Sequence, residues 1–268
     1  MSGRETAALA EARRTVFAAR AVAEAASVAA RPDPSEGRCA SCIVRETGIC
    51  NALLCAELSR FRCIASRRVF APGQQIHAAD ERPEFFGAIM SGVVKMTKIL
   101  FDGRQQVVGL LLPGDSVGRV FGRKTPYFTE AVTRVELCCF PYAGFERMLE
   151  AFPGLKQRLL EQTLDELDTA LDWMVLLGRK TAEERVASLL VMLARRSRIR
   201  RRGKHGAPAC AQTLELHLKR EEIADFLGLT YETVCRQLSL LQKRGLIQLA
   251  GRKRVRVPDL GALALLAG

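Results

Sequence analysis

The stretch Arg220–Ser239, REEIADFLGLTYETVCRQLS, decides how the C-terminal part of this chain folds. It reads as two short helices joined by a tight turn at Gly228, where a residue that tolerates positive φ is favoured. Ala224 is small at the place where the two helices approach most closely, and Val234 points back into a small apolar core. Thr230 is a favourable N-cap for the second helix. The pattern predicts a helix-turn-helix, whose second helix lies in the major groove of DNA.

The positive charge of the chain is concentrated around this motif. The net charge is +12, and residues 179–257 alone hold 19 Lys and Arg against 7 Asp and Glu. A basic excess confined to one segment is typical of a phosphate-binding surface. The run Arg195–Lys204, RRSRIRRRGK, is alternatively a flexible basic loop. Two β-rich runs, Leu246–Leu249 and Val255–Val257, predict a basic wing beside the second helix.

Two further elements precede the motif. Residues 68–141 alternate apolar runs with turn signals, which predicts a small antiparallel barrel or roll. A long helix follows from about Pro153 to Leu177, and we expect Gly178 to cap its end. Its apolar residues recur at spacings of four and three, as in a coiled-coil seam: Leu160, Leu164, Leu167, Leu171 and Met174. The seam favours a homodimer over a helix packed only on its own domain, because helix-turn-helix proteins usually read two half-sites.

Composition excludes several classes of protein. No uninterrupted apolar run of about 18 residues occurs, so we expect no membrane contact and a cytoplasmic protein. Charged residues interrupt the alanine-rich N-terminus, and residues 1–38 are expected to form a flexible tail. There is no phosphate-binding loop, paired-carboxylate motif or nucleophile–base arrangement, so the chain is not expected to be an enzyme.

The chain has nine cysteines, and five of them fall within residues 39–63: Cys39, Cys42, Cys50, Cys55 and Cys63. Without a secretory signal, metal or redox chemistry is favoured over disulfides. Cys39 and Cys42 are separated by two residues, so both sulfurs can turn towards one metal centre. Thiolates suit iron–sulfur clusters and zinc alike, and the spacing leaves that choice open. Unligated thiols, or an iron–sulfur or zinc enzyme with a nucleic-acid-binding tail, are further alternatives.

The order of roll, long helix and winged helix-turn-helix resembles the CRP–FNR family of bacterial transcription regulators. The resemblance covers roughly residues 39–268 and rests on Gly109–Asp115 (GLLLPGD), Lys180–Ala187 (KTAEERVA) and Phe226–Leu238 (FLGLTYETVCRQL). It is close to the FNR, FnrN, FnrL and FixK branch. It implies an α+β fold with three parts: a cyclic-nucleotide-binding-like β-roll preceded by the cysteine segment (39–152), a dimerisation helix (153–178) and a winged helix-turn-helix (179–268).

The resemblance also implies a cofactor. FNR-type regulators hold an oxygen-labile 4Fe–4S cluster with three N-terminal cysteines and a fourth from the roll. The implied ligands in this chain are Cys39, Cys42, Cys50 and Cys138. Cys139 is adjacent, but successive strand residues face opposite ways, so one of the pair can point at the cluster. Cys55 is an alternative ligand. An intact cluster would favour the dimer, and oxygen would release the dimer from DNA. A FixK-like regulator with zinc or free thiols is the alternative.

Other ligands and partners follow from the same resemblance. Cyclic-nucleotide-binding relatives carry a Gly-Glu-Leu stretch followed by an Arg-Ser or Arg-Thr pair. Here Gly114–Phe128 reads GDSVGRVFGRKTPYF, so no cyclic nucleotide is expected. None of the three histidines lies in a convincing haem-ligand setting, and His77 is expected to cap a strand or face solvent. RNA polymerase is an expected partner, through the turn Asp102–Gln106.

FNR-type recognition helices carry the pattern E-x-x-S-R, and the matching residues imply the DNA contacts of this chain. The implied DNA-binding residues are Glu232, Thr233, Cys235 and Arg236. Arg236 matches the arginine that reads guanine, and Glu232 matches the acid that accepts from cytosine. The implied target is an inverted repeat of TTGAT-like half-sites in double-stranded DNA. Cys235 stands where FNR has serine, which makes it a possible redox switch inside the reading helix.

Overall fold

The computed structural model describes residues 39, 42–121, 124–201, 212–251 and 253–268. The chain divides into two units, residues 1–41 and 42–268; Cys39 belongs to the first and all other described residues to the second. The expected tail, residues 1–38, lies outside the described residues. No helix in the described part of the chain combines the length and apolar character needed to cross a membrane.

Two four-stranded antiparallel sheets form the predicted roll. The strands are β1 Ser66–Phe70, β2 Gln75–His77, β3 Phe85–Ser91, β4 Val94–Ile99, β5 Gln105–Leu111, β6 Ser116–Val117, β7 Phe128–Ala131 and β8 Val135–Pro141. The strand orders in the two sheets are β1-β8-β3-β6 and β2-β7-β4-β5. Apolar side chains from both sheets form one buried cluster between them. His77 is buried against Phe85, with ring centroids 4.7 Å apart. Of the two alternatives expected for it, capping a strand or facing solvent, the second is therefore wrong.

The 3-10 turn Ile49–Ala52 lies against the long helix. Two short helices, α1 Cys55–Ile64 and α2 Tyr142–Ala151, cover the outer face of the first sheet. Aromatic rings join them to the strands: Phe61 of α1 lies 4.2 Å from Phe140 of β8, and Phe145 of α2 lies 4.4 Å from Phe86 of β3, between ring centroids. The segment rich in cysteines is therefore attached to the roll through a compact aromatic cluster.

The long helix, α3, spans Pro153–Arg179. Leu155 and Leu176 on one face are buried in the protein. The predicted seam lies on another face and is between 50% and 69% exposed, at Leu160, Leu164, Leu167, Leu171 and Met174. Gly178 does not cap the helix, since it lies one residue inside. The guanidinium of Arg185 donates instead to the carbonyls of Leu177 (2.7 Å) and Lys180 (2.9 Å), which satisfies the helix end without a glycine.

The C-terminal domain is the predicted winged helix-turn-helix. Its elements are α4 Ala182–Arg201, β9 Gln212–Glu215, α5 Arg220–Leu227, α6 Tyr231–Lys243, β10 Gln248–Ala250, β11 Arg254–Val257 and α7 Leu260–Ala267. The wing is a three-stranded sheet of order β10-β11-β9, in which β9 was not predicted. Arg195–Arg201 is the end of α4, so the expectation of a flexible loop is wrong up to residue 201, and residues 202–204 lie outside the described residues.

The first helix of the helix-turn-helix, α5, lies against the roll. Lys95 of β4 places its ammonium 2.6 Å from the Glu222 carboxylate and 3.2 Å from that of Glu130. Gln105 donates to the Asp225 carboxylate at 2.7 Å, and Gln106 donates to the carbonyl oxygen of Phe226 at 3.2 Å. These polar bonds surround an apolar cluster that runs without a break from the roll into the DNA-binding domain. The position of the motif is thus set by the roll as well as by its own core.

Candidate nucleic-acid interface and cysteine site

The local geometry of the helix-turn-helix follows from its sequence. Gly228 ends α5 in the left-handed conformation, with φ of 61°. Thr230 then caps α6, since its side-chain oxygen accepts a hydrogen bond from the Thr233 backbone N–H at 3.2 Å. Ala224 and Val234 are buried between the two helices, as predicted. These contacts fix the start of α6 and therefore the direction of the side chains that follow.

Glu232 and Arg236 lie on the exposed surface of α6, one helical turn apart. Hydrogen bonds from the backbone N–H of Glu232 itself and from Thr230 lower the pKa of the Glu232 carboxyl, so it is ionised at neutral pH. The Arg236 guanidinium donates to the Thr233 hydroxyl at 3.5 Å, and that hydroxyl lies 3.1 Å from the hydroxyl of Thr230. The helix therefore presents an anion and a cation that are already oriented from its first turn.

Cys235 lies half-buried beside two residues that the sequence did not single out. Its thiol lies beside the Tyr231 hydroxyl and raises the pKa of Tyr231, and the Arg220 guanidinium lies near both groups. Tyr231 is the first residue of α6 and is 46% exposed. The spacing of four residues between Tyr231 and Cys235 was the available signal, because such residues are neighbours on a helix.

Cations flank α6, which we call the reading helix, on the side of the wing. The exposed basic residues at the end of α6 and along the wing are Lys243, Arg244, Lys253, Arg254 and Arg256. Arg244 forms an ion pair with Glu183 at 2.7 Å. The arrangement matches a base-reading helix bordered by phosphate-binding side chains.

The segment that carries Cys42 and Cys50 is seated by backbone bonds and by two buried side chains, Val44 and Ile49. The Cys42 carbonyl accepts from Arg45 N–H at 3.1 Å, and the Cys50 carbonyl accepts from Leu53 N–H at 3.2 Å. Ile49 is fully buried, while both cysteines are half-buried. The segment also reaches the long helix, since the Arg158 guanidinium donates to the Thr47 carbonyl at 3.3 Å.

Cys138 and Cys139 differ sharply in their surroundings. Cys139 is 1% exposed inside the core of the roll, and burial raises the pKa of its thiol to about 12. Cys138 is half-buried on the opposite face of β8, the face on which Phe140 contacts Phe61. The structure thus places Cys138, rather than Cys139, on the side of β8 that is covered by α1, the helix that follows the segment with Cys42 and Cys50.

The other cysteines of this region, and the chemistry of the predicted ligands, bear on which cofactor the chain could hold. Cys55 and Cys63 are exposed on α1. Among the described residues, no three His, Cys, Asp or Glu side chains gather closely enough to hold one metal ion. The predicted ligand set includes Cys39, which belongs to the unit of residues 1–41. In chemistry the set fits an iron–sulfur cluster, because it consists of four cysteines and such clusters are held by cysteine thiolates.

The roll, the long helix and the exposed reading helix define a DNA-binding transcription regulator, not an enzyme. Two family models match: the cyclic nucleotide-binding domain over residues 67–152 and the Crp-like helix-turn-helix domain over residues 184–266. Together with close relatives, these matches show that the chain belongs to the CRP–FNR family of transcription regulators.

Three relatives illustrate the similarity. The transcriptional activator protein FnrL of Cereibacter sphaeroides is 42% identical over 86% of this chain and 92% of its own length. The nitrogen fixation regulation protein FixK of Bradyrhizobium diazoefficiens is 35% identical over 80% of this chain and 88% of its own. The solved structure of FixK2 from Bradyrhizobium japonicum superposes with a TM-score of 0.68 at 31% identity, covering 76% of this chain and 98% of that one.

Proposed function

We propose that this chain is an oxygen- or redox-responsive transcription activator that binds an inverted repeat of TTGAT-like half-sites as a homodimer. The observation that carries the proposal is the exposed pair Glu232 and Arg236 on α6, oriented by the capped first turn. An arginine of this kind reads guanine by two hydrogen bonds, and an acid accepts from cytosine. Activation is proposed because FnrL is named as an activator.

The seam of α3 supports the homodimer. Five large apolar side chains are about half exposed along one line of the helix, whereas the helix buries another face in its own protein. A contiguous apolar stripe on a monomer marks an interaction surface. The spacing of four and three suits a second copy of the same helix, since knobs of one helix then fit the holes of the other. Two-fold symmetry would bring two reading helices to the two half-sites.

We further propose that Cys39, Cys42, Cys50 and Cys138 hold a 4Fe–4S cluster. When bound, such a cluster supplies iron–thiolate bonds that join the four cysteines and that oxygen can break. The effect of such a cluster on the dimer would depend on contacts made by the protein itself. Residues 42–52 lie on the first turns of α3, where Arg158 binds the Thr47 carbonyl, just before the exposed seam begins. Tethering this segment to β8 through Cys138 would therefore hold the start of α3 against the roll and favour pairing of the seam.

The choice of Cys138 over Cys139 predicts a sharp difference between neighbouring variants. Cys138→Ala should lose the iron of the anaerobically purified protein, because its side chain lies on the outer face of β8, the face that α1 covers. Cys139→Ala should keep the iron and lose only stability, about 1 kcal/mol for a small core side chain. Iron content and visible absorbance measure the first effect, and urea unfolding measures the second. Equal iron in the two variants would refute the assignment.

Anaerobic purification with iron, zinc and visible-absorbance measurements tests the cofactor directly. The proposal predicts four iron atoms per chain and the broad visible band of an iron–sulfur cluster. The alternative is a FixK-like regulator that uses zinc or free thiols. A zinc-containing or metal-free protein that still binds the inverted repeat would establish that alternative.

The proposal includes no cyclic nucleotide. The turn at Gly114 and Asp115 is already engaged by the chain itself: the Asp115 carboxylate accepts from Arg196 at 2.6 Å, and the Gly114 carbonyl accepts from Gln162 at 3.3 Å. RNA polymerase remains the proposed protein partner. In the turn Asp102–Gln106, both glutamines bind α5, so the part left for a partner is its outer end, next to the fully exposed Phe101.

Cys235 is proposed as a second redox control. Oxidation to the sulfinate would place a negative charge beside Tyr231 on the DNA-facing helix, and the sulfinate is not reduced by thiols. Peroxide treatment, followed by thiol reduction and cluster reconstitution, should leave the wild type defective in DNA binding and the Cys235→Ser variant restored. Mass spectrometry should find two added oxygen atoms on Cys235. Full recovery of an oxidised wild type would exclude the switch.

A further inference from the structure

One short turn of the roll, Leu112–Asp115, is contacted by three parts of the chain that the proposed function needs to connect. It follows β5 and is fixed to the roll by paired backbone bonds: Gly114 N–H donates to the Ile89 carbonyl, and Ile89 N–H donates to the Asp115 carbonyl, each at 3.0 Å. The turn is therefore part of the rigid sheet and not a loose loop. Any element that rests on it is positioned relative to the roll.

The cysteine segment rests on this turn at Gly114. A side chain there would bring its Cβ within 2.8 Å of the Thr47 hydroxyl oxygen, and Gly114 has φ of +102°, so glycine permits both the backbone conformation and the close approach. Thr47 lies between Cys42 and Cys50 in the sequence. The dimerisation helix meets the turn at the same residue, because Gln162 of α3 donates to the Gly114 carbonyl at 3.3 Å.

The DNA-binding domain reaches the turn one residue further on. Arg196 of α4 donates to the Asp115 carboxylate at 2.6 Å, and the same carboxylate accepts from Leu112 N–H at 2.8 Å. Both side chains of the ion pair are about 30% exposed, at 32% and 29%. A half-buried pair with a second hydrogen bond holds its geometry better than an ion pair on the open surface. The charge of α4 at Arg196 is thus committed to the roll and not to phosphate.

A third charge stands at this junction. Glu166 of α3 lies near both Asp115 and Arg196: partial burial and the Asp115 carboxylate raise the pKa of the Glu166 carboxyl, and Arg196 lowers it. Two carboxylates from the roll and the dimerisation helix therefore face a single guanidinium from the DNA-binding domain. Movement of the dimerisation helix or of the DNA-binding domain relative to the roll therefore changes the electrostatic energy of these three charges.

We propose that the turn Leu112–Asp115 couples the cysteine segment to the DNA-binding domain, and that the Asp115–Arg196 ion pair is its attachment to the DNA side. The contact of residues 44–50 with Gly114 then affects the position of α4. Because α4 packs against the helix-turn-helix, the position of the helix-turn-helix changes with it. Arg196 and Asp115 are positioning residues in this scheme and contact neither DNA nor a cofactor. The inference rests on the proposed function, since it assigns a route by which the state of the cysteines reaches the reading helix.

The test uses the full-length protein and the variant Arg196→Met, which keeps the apolar stem and removes every donor. The first measurement is the ratio of the DNA dissociation constants after and before exposure to air, on a TTGAT inverted repeat. Coupling between two sites usually changes an affinity by a factor of about 5 to 150. We therefore expect the ratio of dissociation constants to fall by about five-fold or more in Arg196→Met. Adding Asp115→Asn should change it little further, because the two residues act as one unit.

A second measurement does not depend on a cluster. Amide hydrogen exchange in residues 44–52 should become faster in Arg196→Met, because loosening the turn loosens the segment seated on it. The matched control is Arg104→Met, which breaks an exposed ion pair with Asp102 (2.8 Å) elsewhere in the roll and should leave both readouts unchanged. Wild-type values for both readouts in Arg196→Met would overturn the inference. If wild-type DNA binding itself does not respond to air, the proposed oxygen response fails, and hydrogen exchange alone decides on the turn.

Discussion

Arg236→Ala is expected to weaken binding to the inverted repeat by about 1–3 kcal/mol in each half-site and to relax selectivity at one base position. The reason is geometric. Arg236 is exposed on α6, and its guanidinium is already oriented towards Thr233, so little ordering is needed before it meets a guanine. Fluorescence anisotropy with duplexes that carry each of the four bases at the guanine position measures both effects.

Lys253→Ala provides the matched control for this prediction. Lys253 is an exposed cation on the wing, and a phosphate contact carries no sequence information. Its removal should weaken binding to every duplex by a similar factor and reduce the slope of affinity against salt, without changing base preference. Arg236→Ala would be misassigned if it behaved in the same way, with uniform loss across all four bases.

Leu171→Glu is expected to dissociate the dimer. Leu171 is 50% exposed in the single chain, and burying the exposed half of two such leucines across a two-fold seam contributes about 1.5–3 kcal/mol. The substitution removes that contribution and places two carboxylates opposite each other. Sedimentation at a series of concentrations should show a monomer, and affinity for the inverted repeat should fall with it, because one reading helix covers one half-site.

Leu100→Glu tests whether this effect belongs to the seam. Leu100 is 47% exposed, next to the turn after β4, so the same substitution at nearly the same exposure carries the same change in charge. The variant should remain a dimer and bind the inverted repeat like the wild type. Dissociation by both variants, or by neither, would remove the seam as the dimer contact.

The helix-turn-helix could be predicted almost completely from its sequence. Gly228, Thr230 and Val234 act through local rules: a left-handed cap, an N-cap and a helical core position. The roll and the apolar seam followed in the same way, from turn signals and from spacing. Local rules hold where the interacting residues are a few positions apart in the chain.

The differences arose where distant residues meet. The long helix does not end at Gly178, because Arg185 binds its last carbonyls from the next helix. Arg195–Arg201 continues α4 instead of forming a loop, and Arg196 finds its partner at Asp115, 81 residues earlier in the chain. Composition identified these residues as basic but could not show that one of them is neutralised by the roll.

The cysteine site could be predicted in part from local rules and in part not. Strand alternation indicated that Cys138 and Cys139 face opposite ways, but it could not show which of them faces the core. The structure settles that point through the packing of Cys139 in the roll and of Phe140 against Phe61. The aromatic contact joins β8 to α1, and nothing in the spacing of the cysteines indicated it.

The most direct test of an oxygen-responsive regulator is the affinity of the anaerobically purified protein for a TTGAT inverted repeat, measured before and after exposure to air and against a scrambled duplex. We expect one dimer to bind the repeat tightly before exposure and weakly after it, with weak binding to the scrambled duplex throughout. Equal affinity for the two duplexes, or affinity for the repeat that air leaves unchanged, would contradict this expectation.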